Sequence, residues 1–274
     1  MIDLHTHTTA SDGLYPPPEL VACAAAAGVT VLSATDHDTI AGCAPARAAC
    51  AEAGIEFVPG IEITAVHAER DVHVLGYFID VTSTALLTFL ADQRTRRIDR
   101  VRQMILRLAT CGIDLDAAAI LEPGIGDTTK AAGRPWIARA LVAHGHCATT
   151  GEAFHRWLAR GRPAYIVRAA ASPEDVFARI HEAGGVASIA HPGLLGHDHW
   201  IREFQPAGLD AIEAYHTKHD AEQTRHYVAL AARLGLAVSG GSDYHADDSH
   251  GAVTPGSVSL PREQFEALEA RRRN

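Results

Sequence analysis

Short runs rich in valine and isoleucine alternate with alanine-rich stretches along this 274-residue chain, and this alternation restricts the fold more than any other feature. Runs of the first kind are typical of buried strands, and the alanine-rich stretches between them are typical of helices. The pattern predicts seven strands, at Ile2–Thr6, Val29–Ala34, Glu56–Ile63, Val72–Phe78, Val186–Ala190, Ala211–Ala214 and Ala237–Ser239. Repeated βα units of this kind predict an α/β fold around a parallel sheet.

The stretch from about Thr84 to Arg162 interrupts the alternation, because it has helical periodicity and no convincing strand. We predict helices over Thr84–Cys111, Asp114–Leu121, Pro135–Ala143 and Thr150–Ala159, with Gly124–Lys130 as an exposed, mobile connection. Residues 1–80 and 164–274 are therefore expected to form one β/α domain, and residues 81–163 to form a helical insertion.

Composition excludes several classes of protein. The formal charge of −9 disfavours stable binding of duplex nucleic acid or anionic membranes, which needs a basic surface. No apolar run is long enough to span a membrane, and Asp3 and His5 stand where a secretory signal needs apolar residues, so we expect a cytoplasmic protein. The five cysteines are odd in number and form no C-x-x-C pair, which predicts reduced core residues.

The 17 histidines suggest a search for metal-binding clusters, because histidine is the commonest metal ligand. His5 and His7 lie two apart on the first predicted strand, so their imidazoles project to the same side. Asp12 follows in Ser11-Asp12-Gly13, where an ordinary turn aspartate is the competing interpretation. His-x-His alone is a weak signal, and its weight depends on the rest of the chain.

Further titratable residues stand at the predicted ends of other strands, which is where a β/α barrel presents its active site. His37 ends the second strand, beside Asp38, which could equally cap a following helix. Glu62 stands between two isoleucines, either as an outward-facing strand residue or as a carboxylate that bridges two metals.

In all, six histidines and three carboxylates form the candidate metal set: His5, His7, Asp12, His37, Glu62, His73, His191, Asp243 and His245. Other histidines are expected on helix surfaces, namely His144, His146, His155, His181, His226 and His250. Nine positions concentrated at strand ends predict a metal centre.

In order and in residue type, these nine positions resemble the ligand set of the PHP (polymerase and histidinol phosphatase) family of phosphoesterases. No ligand position is substituted. The resemblance implies an α/β fold of a particular kind, a distorted seven-stranded β/α (TIM-like) barrel of the PHP type. It also implies a centre of two or three divalent metal ions, which could be Mn, Fe or Zn because all three accept mixed nitrogen and oxygen ligands.

Within that family, Gly133–Arg139 and Gly161–Tyr165 resemble a small stand-alone bacterial branch. That branch includes nucleoside 3′,5′-bisphosphate phosphatases and 5′-to-3′ exoribonucleases that act on short RNA, and its helical insertion is expected to cover the active site. Two positions depart from the branch pattern: Trp136 stands where relatives tend to have histidine, and Leu194 where arginine is common.

The residue types suggest how such a site would hydrolyse a phosphate ester. Metal ions would hold the phosphate and lower the pKa of an attacking water from about 15.7 toward about 7. The leaving group needs a proton or a metal contact, for which His191, His245 and His216 are the candidates. Arg134 could clamp a second phosphate, with assistance from Lys218 or Arg168, although each of the three could also be a solvated surface cation.

Other functions stay open from sequence alone. Histidinol phosphate or another sugar phosphate could be the substrate, and so could a phosphodiester. An amidohydrolase also uses a His-x-His strand motif, but its usual bridging lysine is missing from these strand ends. A non-catalytic protein that binds metal or a nucleotide would more typically lack part of the ligand set.

Overall fold

A computed structural model describes residues 1–126, 132–246 and 253–273, with the side chains of residues 123–126 excepted. The chain divides into two compact units. The first unit consists of residues 1–90 and 171–274, and the helical unit consists of residues 91–170. All the described strands belong to the first unit, and the described part of the helical unit contains helices and no strand.

The eight strands of the described residues are short except for one hairpin: β1 (Ile2–Asp3), β2 (Val31–Leu32), β3 (Glu56–Phe57), β4 (Gly60–His67), β5 (Arg70–Tyr77), β6 (Val186–Ile189), β7 (Ala211–His216) and β8 (Ala237–Gly241). The helices are α1 (Pro17–Ala26), α2 (Cys43–Ala53), α3 (Thr84–Thr110), α4 (Ala117–Gly126), α5 (Arg134–Ala143), α6 (Thr150–Ala153), α7 (Pro173–Glu182), α8 (Pro192–Leu195), α9 (Asp198–Phe204), α10 (Ala221–Leu234) and α11 (Arg262–Glu269). A single π-helical turn, Phe154–Leu158, directly follows α6.

The predicted α/β class is confirmed, but the strands differ from the prediction in number and direction. The single strand predicted over Glu56–Ile63 is two strands, β3 and β4, separated at Pro59, which has no N–H to donate to a ladder. β4 and β5 are antiparallel, and β5 and β6 are antiparallel as well, so the expectation of a wholly parallel sheet is wrong. The other pairings, within β1–β2–β3 and β6–β7–β8, are parallel.

The strands form two sheets, one in the order β1-β2-β3 and one in the order β4-β5-β6-β7-β8. Isolated parallel bridges link these sheets at two places, between Thr6 and Tyr244 and between His37 and Glu62. In the described residues the ladder is thus interrupted and is not one continuous seven-stranded ring. The closed TIM-like barrel stays a prediction.

The β4–β5 hairpin turns through two residues, Ala68 and Glu69, which both have positive φ angles, of 47° and 61°. Two positive φ angles in a two-residue loop are the geometry that matches the twist of paired strands. Neither residue is the glycine or asparagine that usually marks such a turn. This explains why the hairpin leaves little trace in the sequence.

Polar caps define several helix ends. Ser172 and Asp175 form a capping box at the start of α7, and Asp220 caps α10 in the same manner. Asp116 accepts hydrogen bonds from the backbone N–H groups of Ala118 and Ala119, so α4 begins three residues later than predicted. That helix continues to Gly126, so the first residues of the predicted connection Gly124–Lys130 are helical; residues 127–130 lie outside the described residues.

Each unit has a hydrophobic core of its own. In the first unit, strands β4–β8 pack against α7, α9, α10 and α11 around fully buried side chains that include Tyr77, Phe177 and Phe204. In the helical unit, a separate cluster includes Met104, Leu108, Ile137 and Leu141. The strand ends of the first unit are thereby held by a well-packed framework, which is what a site with fixed ligand geometry requires.

The cysteines and the lengths of the apolar helices were also predicted from the sequence. All five cysteines are free; Cys43, Cys50 and Cys147 are buried, whereas Cys111 is exposed and so is not a core residue. Among the described helices, none combines the length and the apolar character needed to cross a membrane.

Candidate metal centre

All nine residues predicted to bind metal belong to the first unit, and each has a side-chain nitrogen or oxygen within 3.6 Å of another member of the set. They come from several chain segments. Two histidines follow β1, Asp12 lies in the loop beyond them, and one histidine follows β2. One glutamate lies in β4, one histidine lies in β5, and the last three residues follow β6 and β8.

His5 and His7 face the same side because the backbone between them is extended, with Thr6 bridged to Tyr244. Both side chains are buried, and their Nε2 atoms lie 3.1 Å apart. A hydrogen bond from the Thr6 hydroxyl to the Ser33 carbonyl fixes the other face of this segment. The two imidazoles therefore present nitrogen atoms to one shared space.

Glu62 lies at the centre of the cluster and is 1% exposed. Its Oε2 atom lies 3.0 to 3.5 Å from one ring nitrogen of each of three histidines: His37, His7 and His5. Its Oε1 atom lies 2.9 Å from His73 Nδ1 and 3.2 Å from His191 Nε2. The two carboxylate oxygens thus face two different groups of imidazoles, which is the arrangement of a bridging ligand.

The sequence suggested that Glu62 and His73 lie at strand ends, but in the structure both lie inside strands. Glu62 is the third residue of β4, and His73 lies in the middle of β5, opposite Thr64. They meet because the β4–β5 hairpin pairs Glu62 with Leu75 and Thr64 with His73, which makes Glu62 and His73 diagonal neighbours on one face of the hairpin. Both residues still belong to the cluster, and only their positions within the strands differ from the prediction.

Two aspartates complete the cluster. Asp243 Oδ1 lies 3.3 Å from the Nε2 atoms of both His5 and His7. Asp12 lies 3.4 to 3.6 Å from nitrogens of His7, His37 and His245. The Asp12 side chain is 51% exposed, so this side of the cluster is open to solvent.

Two buried atoms without hydrogen-bond partners indicate that these side chains suit divalent cations. Within the described part of the chain, neither Glu62 Oε2 nor His37 Nδ1 has a hydrogen-bond partner, although both atoms are buried and lie 3.0 Å apart. Buried polar atoms without partners are costly, and divalent cations bound in this cluster would satisfy both lone pairs. Four sets of three or more ligand atoms lie within 4.8 Å of one another: His7, Asp12, His37 and His245; His5, His216 and Asp243; His5, His7 and Glu62; His37, Glu62 and His73.

The carboxylates of the cluster are held ionised. Burial opposes ionisation of Glu62, but the surrounding imidazoles outweigh it and hold the pKa well below its usual value. Burial is likewise outweighed at Asp12 and Asp243, where hydrogen bonds and charges from neighbouring histidines lower the pKa. For His191 the effect of burial prevails and lowers the pKa, which favours the neutral imidazole that a metal ligand must be.

Three residues in or beside the cluster have strained backbones. His191 and Asp243 have φ angles of 28° and 55°, and Asp38 has a φ angle of 53°. Non-glycine residues with such angles cost about 1 to 3 kcal/mol each and persist where surrounding structure holds them. The alternative that Asp38 caps the next helix is wrong, because α2 begins only at Cys43 and Asp38 accepts the backbone N–H of Thr64.

A buried carboxylate that the sequence analysis did not single out lies behind the cluster. Glu213, on β7, is 0% exposed and accepts a hydrogen bond from His5 Nδ1 at 2.8 Å with one oxygen. Its other oxygen accepts the backbone N–H of His191 at 2.7 Å. A glutamate inside the short apolar run Ala211-Ile-Glu-Ala214 was the available signal, since a strand buried on both faces rarely contains an unpaired charge.

Two further aspartates support the loops that carry ligands. Asp36 accepts hydrogen bonds from the backbone and hydroxyl of Thr8 and from the Ser11 hydroxyl, all at 2.8 Å. Asp3 accepts the backbone N–H groups of Ser242 and Gly256, each at 2.8 Å. Both carboxylates are buried. They fix the loop that holds Asp12 and the segment that follows β8.

Close packing of backbones also shapes the centre. A Cβ atom on Gly241 would lie 2.3 Å from His5 N, and one on Gly240 would lie 2.5 Å from Tyr215 Cβ. The strand that closes the cluster therefore reaches its neighbours only because these two residues have no side chain.

The remaining predicted site residues lie in both units. His216 is buried in the first unit, where its Nε2 atom lies 3.3 Å from Asp243 Oδ2 and its Nδ1 atom accepts the backbone N–H of Lys218. The Lys218 side chain is exposed. Arg134 and Arg168 belong to the helical unit; Arg134 stacks over the ring of Phe154 at 5.7 Å.

Of the histidines expected on helix surfaces, five lie in described residues and none of these belongs to the four ligand groups found there. His144, His155 and His226 are exposed, and His146 and His181 are half-buried. His250 lies outside the described residues.

Comparison with known proteins identifies the family. The PHP domain matches residues 3–116. A 3′,5′-nucleoside bisphosphate phosphatase of Chromobacterium violaceum is 36% identical over 98% of this chain and 97% of that protein. A 5′-3′ exoribonuclease of Haemophilus influenzae is 36% identical over 89% of each chain.

A solved structure agrees with the sequence relatives. A Bifidobacterium adolescentis protein, classed as a metal-dependent phosphoesterase, superposes with a TM-score of 0.84 at 30% identity, over 99% of this chain and 96% of its own. The sequence identity, the fold and the clustered ligand types all support the same family assignment. The chain belongs to the PHP family and is a metal-dependent phosphoesterase.

Proposed function

We propose that this chain hydrolyses a phosphate ester of a nucleotide: a nucleoside bisphosphate, a nucleoside monophosphate or a short 5′-phosphorylated RNA. The observation that carries the proposal is the position of Glu62, whose two buried oxygens face separate groups of imidazoles. A carboxylate in this position can bridge two cations, and a pair of cations suits displacement at phosphorus. The relatives named as a bisphosphate phosphatase and an exoribonuclease support a nucleotide substrate.

Nine residues would hold two or three divalent ions. A first ion would take His5, His7, Glu62 and Asp243, and a second would take Glu62, His73 and His191. Asp12, His37 and His245 would hold a third, more exposed ion. Mixed nitrogen and oxygen donors suit Mn, Fe and Zn alike.

Bound at these positions, the ions would supply the positive charge that polarises a phosphoryl group and lowers the pKa of water. Three ionised carboxylates against two or three divalent ions leave a local charge of about +1 to +3, which attracts an anionic substrate to an acidic protein. This explains how a chain with a formal charge of −9 could bind phosphate.

His191, His245 and His216 stay the candidates for the residue that protonates the leaving group. The Nδ1 atom of His216 accepts the backbone N–H of Lys218, so this imidazole carries its one proton on Nε2, facing Asp243, and giving up that proton would leave an imidazolate. This hydrogen bond disfavours His216 as the proton donor. His245 is arranged the other way, with Nδ1 against the Asp243 carbonyl, which leaves Nε2 for a cation. His191 faces Glu62 and is likewise suited to be a ligand.

Substrate-binding roles for Arg134, Lys218 and Arg168 stay predictions, as do an insertion that covers the active site and a cytoplasmic location. A histidinol-phosphate or other sugar-phosphate monoesterase is the first alternative, and a protein that binds metal or a nucleotide without catalysis is the second.

The test is phosphate release by the Mn-loaded protein from a panel of nucleoside 3′,5′-bisphosphates, nucleoside monophosphates, histidinol phosphate and short 5′-phosphorylated RNA. We expect release from one or more nucleotide substrates, and loss of release when a chelator is added. Turnover of histidinol phosphate alone would favour the sugar-phosphate alternative. Tight binding of nucleotide and metal without any release would identify a non-catalytic protein.

A further inference from the structure

The acidic character of the chain is not shared by its two units. The helical unit, residues 91–170, contains 13 of the 24 lysines and arginines but only 7 of the 33 acidic residues. Its formal charge is therefore +6, and that of the remaining residues is −15. The overall charge of −9 hides this difference between the units. The net charge of the chain is therefore no argument against nucleic-acid binding by the helical unit.

The basic residues are almost all arginines, and half of the arginines lie in one segment with a single acidic residue. Twelve of the 13 are arginine, and residues 134–168 contain six of them with a single acidic residue, Glu152, which pairs with Arg156 at 2.6 Å. Arg139, Arg160 and Arg162 are exposed. Arginine binds phosphate through a planar fork of donors, so an exposed, nearly acid-free arginine segment suits a polyphosphate backbone.

Aromatic side chains are interleaved with these arginines. Three guanidinium groups lie over aromatic rings of the unit at 5.5 to 5.7 Å: Arg134 over Phe154, Arg156 over Trp157, and Arg100 over Tyr165. Phe154 and Trp157 are only partly buried and belong to the π-helical turn, an irregularity frequent at functional sites. Stacking surfaces of this kind accept unpaired bases, which a duplex does not offer.

We propose that the helical unit, chiefly residues 134–168, is a binding surface for single-stranded RNA. The unit would hold the body of an oligonucleotide through its phosphates and bases, without the metal centre. The choice of RNA over other polyanions rests on the proposed function, whereas the charge and the stacking surface do not. The consequence is a preference for oligonucleotides over mononucleotides.

The test uses the full-length protein in EDTA and a fluorescent single-stranded RNA with a 5′-hydroxyl end, so that neither metal nor a terminal phosphate contributes to binding. Fluorescence anisotropy is measured between about 50 and about 200 mM NaCl. We expect binding that weakens with salt, and at least about a tenfold loss in the triple variant Arg139→Gln, Arg160→Gln, Arg162→Gln. Because each phosphate contact on a single strand contributes about −0.7 to the logarithmic salt slope, that slope should fall by about 2.

The matched control is Arg202→Gln, Arg225→Gln, Arg233→Gln, which removes the same charge from exposed positions of the first unit. This control should change the affinity for RNA less than about twofold. The triple variant Arg139→Lys, Arg160→Lys, Arg162→Lys keeps the positive charges and should therefore keep the salt slope. Equal losses in the glutamine variant and the control would overturn the proposal, and so would equally tight binding of duplex RNA. If the triple glutamine variant unfolds at a lower temperature than the parent protein, the three single glutamine substitutions are measured instead. Each of them should lose part of the affinity for RNA.

The two proposals fail in different ways. If nucleoside bisphosphate is hydrolysed and the 5′-hydroxyl RNA does not bind, the RNA surface is wrong and the proposed function stands. If the RNA binds in the expected salt-dependent way and no phosphate is released from any substrate, the surface stands and the proposed function is wrong.

Discussion

Glu213 accepts a 2.8 Å hydrogen bond from Nδ1 of His5, and both residues are fully buried. Burial opposes protonation of His5, but the charges of Glu213, Asp243 and Glu62 outweigh it and raise the pKa well above its usual value. In neutral His5, the bond keeps the proton on Nδ1, so Nε2 is free to bind a cation. The other oxygen of Glu213 holds the backbone of His191, so one side chain orients two candidate ligands.

Replacement of Glu213 by glutamine should weaken metal binding by about 10- to 100-fold, as is usual for residues that orient a ligand. An amide has one acceptor, so either His5 or the His191 N–H loses its partner and faces an NH₂ group. Calorimetric titration with Mn²⁺ gives the affinity, and ¹⁵N NMR of the imidazoles reports the tautomer. The exposed Glu222→Gln on α10 is the control, and an unchanged affinity in Glu213→Gln would exclude the orienting role.

Loss of a proposed ligand should abolish turnover and leave the fold intact. Asp243→Asn and His191→Ala are expected to lose at least about a hundredfold in activity, because removing a ligand costs more than removing its support. Activity is compared with metal content and circular dichroism. His226→Ala, which removes an exposed histidine of α10, should retain activity. Full turnover in either ligand variant would contradict the assignment.

Metal binding should stabilise the first unit strongly, because the cations would compensate buried carboxylates and satisfy Glu62 Oε2. At about 1,000 times the dissociation constant, a ligand specific for the folded state adds about 4.1 kcal/mol. Thermal unfolding with Mn²⁺ and with EDTA measures the difference. The shift should be much smaller in Asp243→Asn, and a shift of equal size there would show that metal binds elsewhere.

Gly241→Ala should destabilise the fold by about 1 to 3 kcal/mol, the usual cost of overpacking. The added methyl group would lie 2.3 Å from the backbone nitrogen of His5, so the backbone of either β8 or His5 must move. Urea unfolding gives the stability, and metal content shows whether the centre is displaced. Gly151→Ala is the control, because its Cβ would approach only Thr149, at 3.8 Å, and the prediction fails if both variants behave alike.

Asp210 should make stability depend on pH at the acidic end. Burial raises the pKa of its carboxyl, but hydrogen bonds from His181 and from the Ala187 N–H, and the charge of Arg273, lower it overall. A carboxyl whose pKa is lower in the folded state stabilises the protein above its unfolded pKa of about 3.9, and this stabilisation is lost as the pH falls through the folded value.

Asp210→Asn should therefore be less stable than the parent protein at pH 7, by about 1.5 to 3 kcal/mol, a typical value for hydrogen bonds to a charged group. The difference should shrink as the pH falls below about 3.9. Urea unfolding over this range measures it. A difference that stays constant with pH would exclude the carboxylate charge as its cause.

The candidate ligands could be found from sequence because each carries its own local signal: a pair of histidines two apart after an apolar run, or an acid beside glycines. His5, His7 and Asp243 are of this kind. The role of Glu213 depends on partners 208 and 22 residues away, and the local signal, a glutamate in an apolar run, does not identify them. Its burial is a property of the folded sheet.

The class of fold could be predicted from the alternation of strands and helices, but the direction of β5 could not. The turn at Ala68-Glu69 lacks the residues that usually mark a tight hairpin, so His67 and Arg70 gave no indication that the chain reverses there. Predicted strands also ended late or early, because backbone pairing, rather than hydrophobicity, decides where a ladder stops. β1 and β2, for example, contain two residues each.

The bridge between Thr6 and Tyr244 joins residues from near opposite ends of the chain, and the hydrogen bond from Ser242 N–H to Asp3 reinforces it. During synthesis, the first histidines leave the ribosome long before Asp243 exists. The proposed first cation site would therefore lack a ligand until the segment that follows β8 had emerged. Release of a prematurely terminated product would yield a protein unable to complete its catalytic centre.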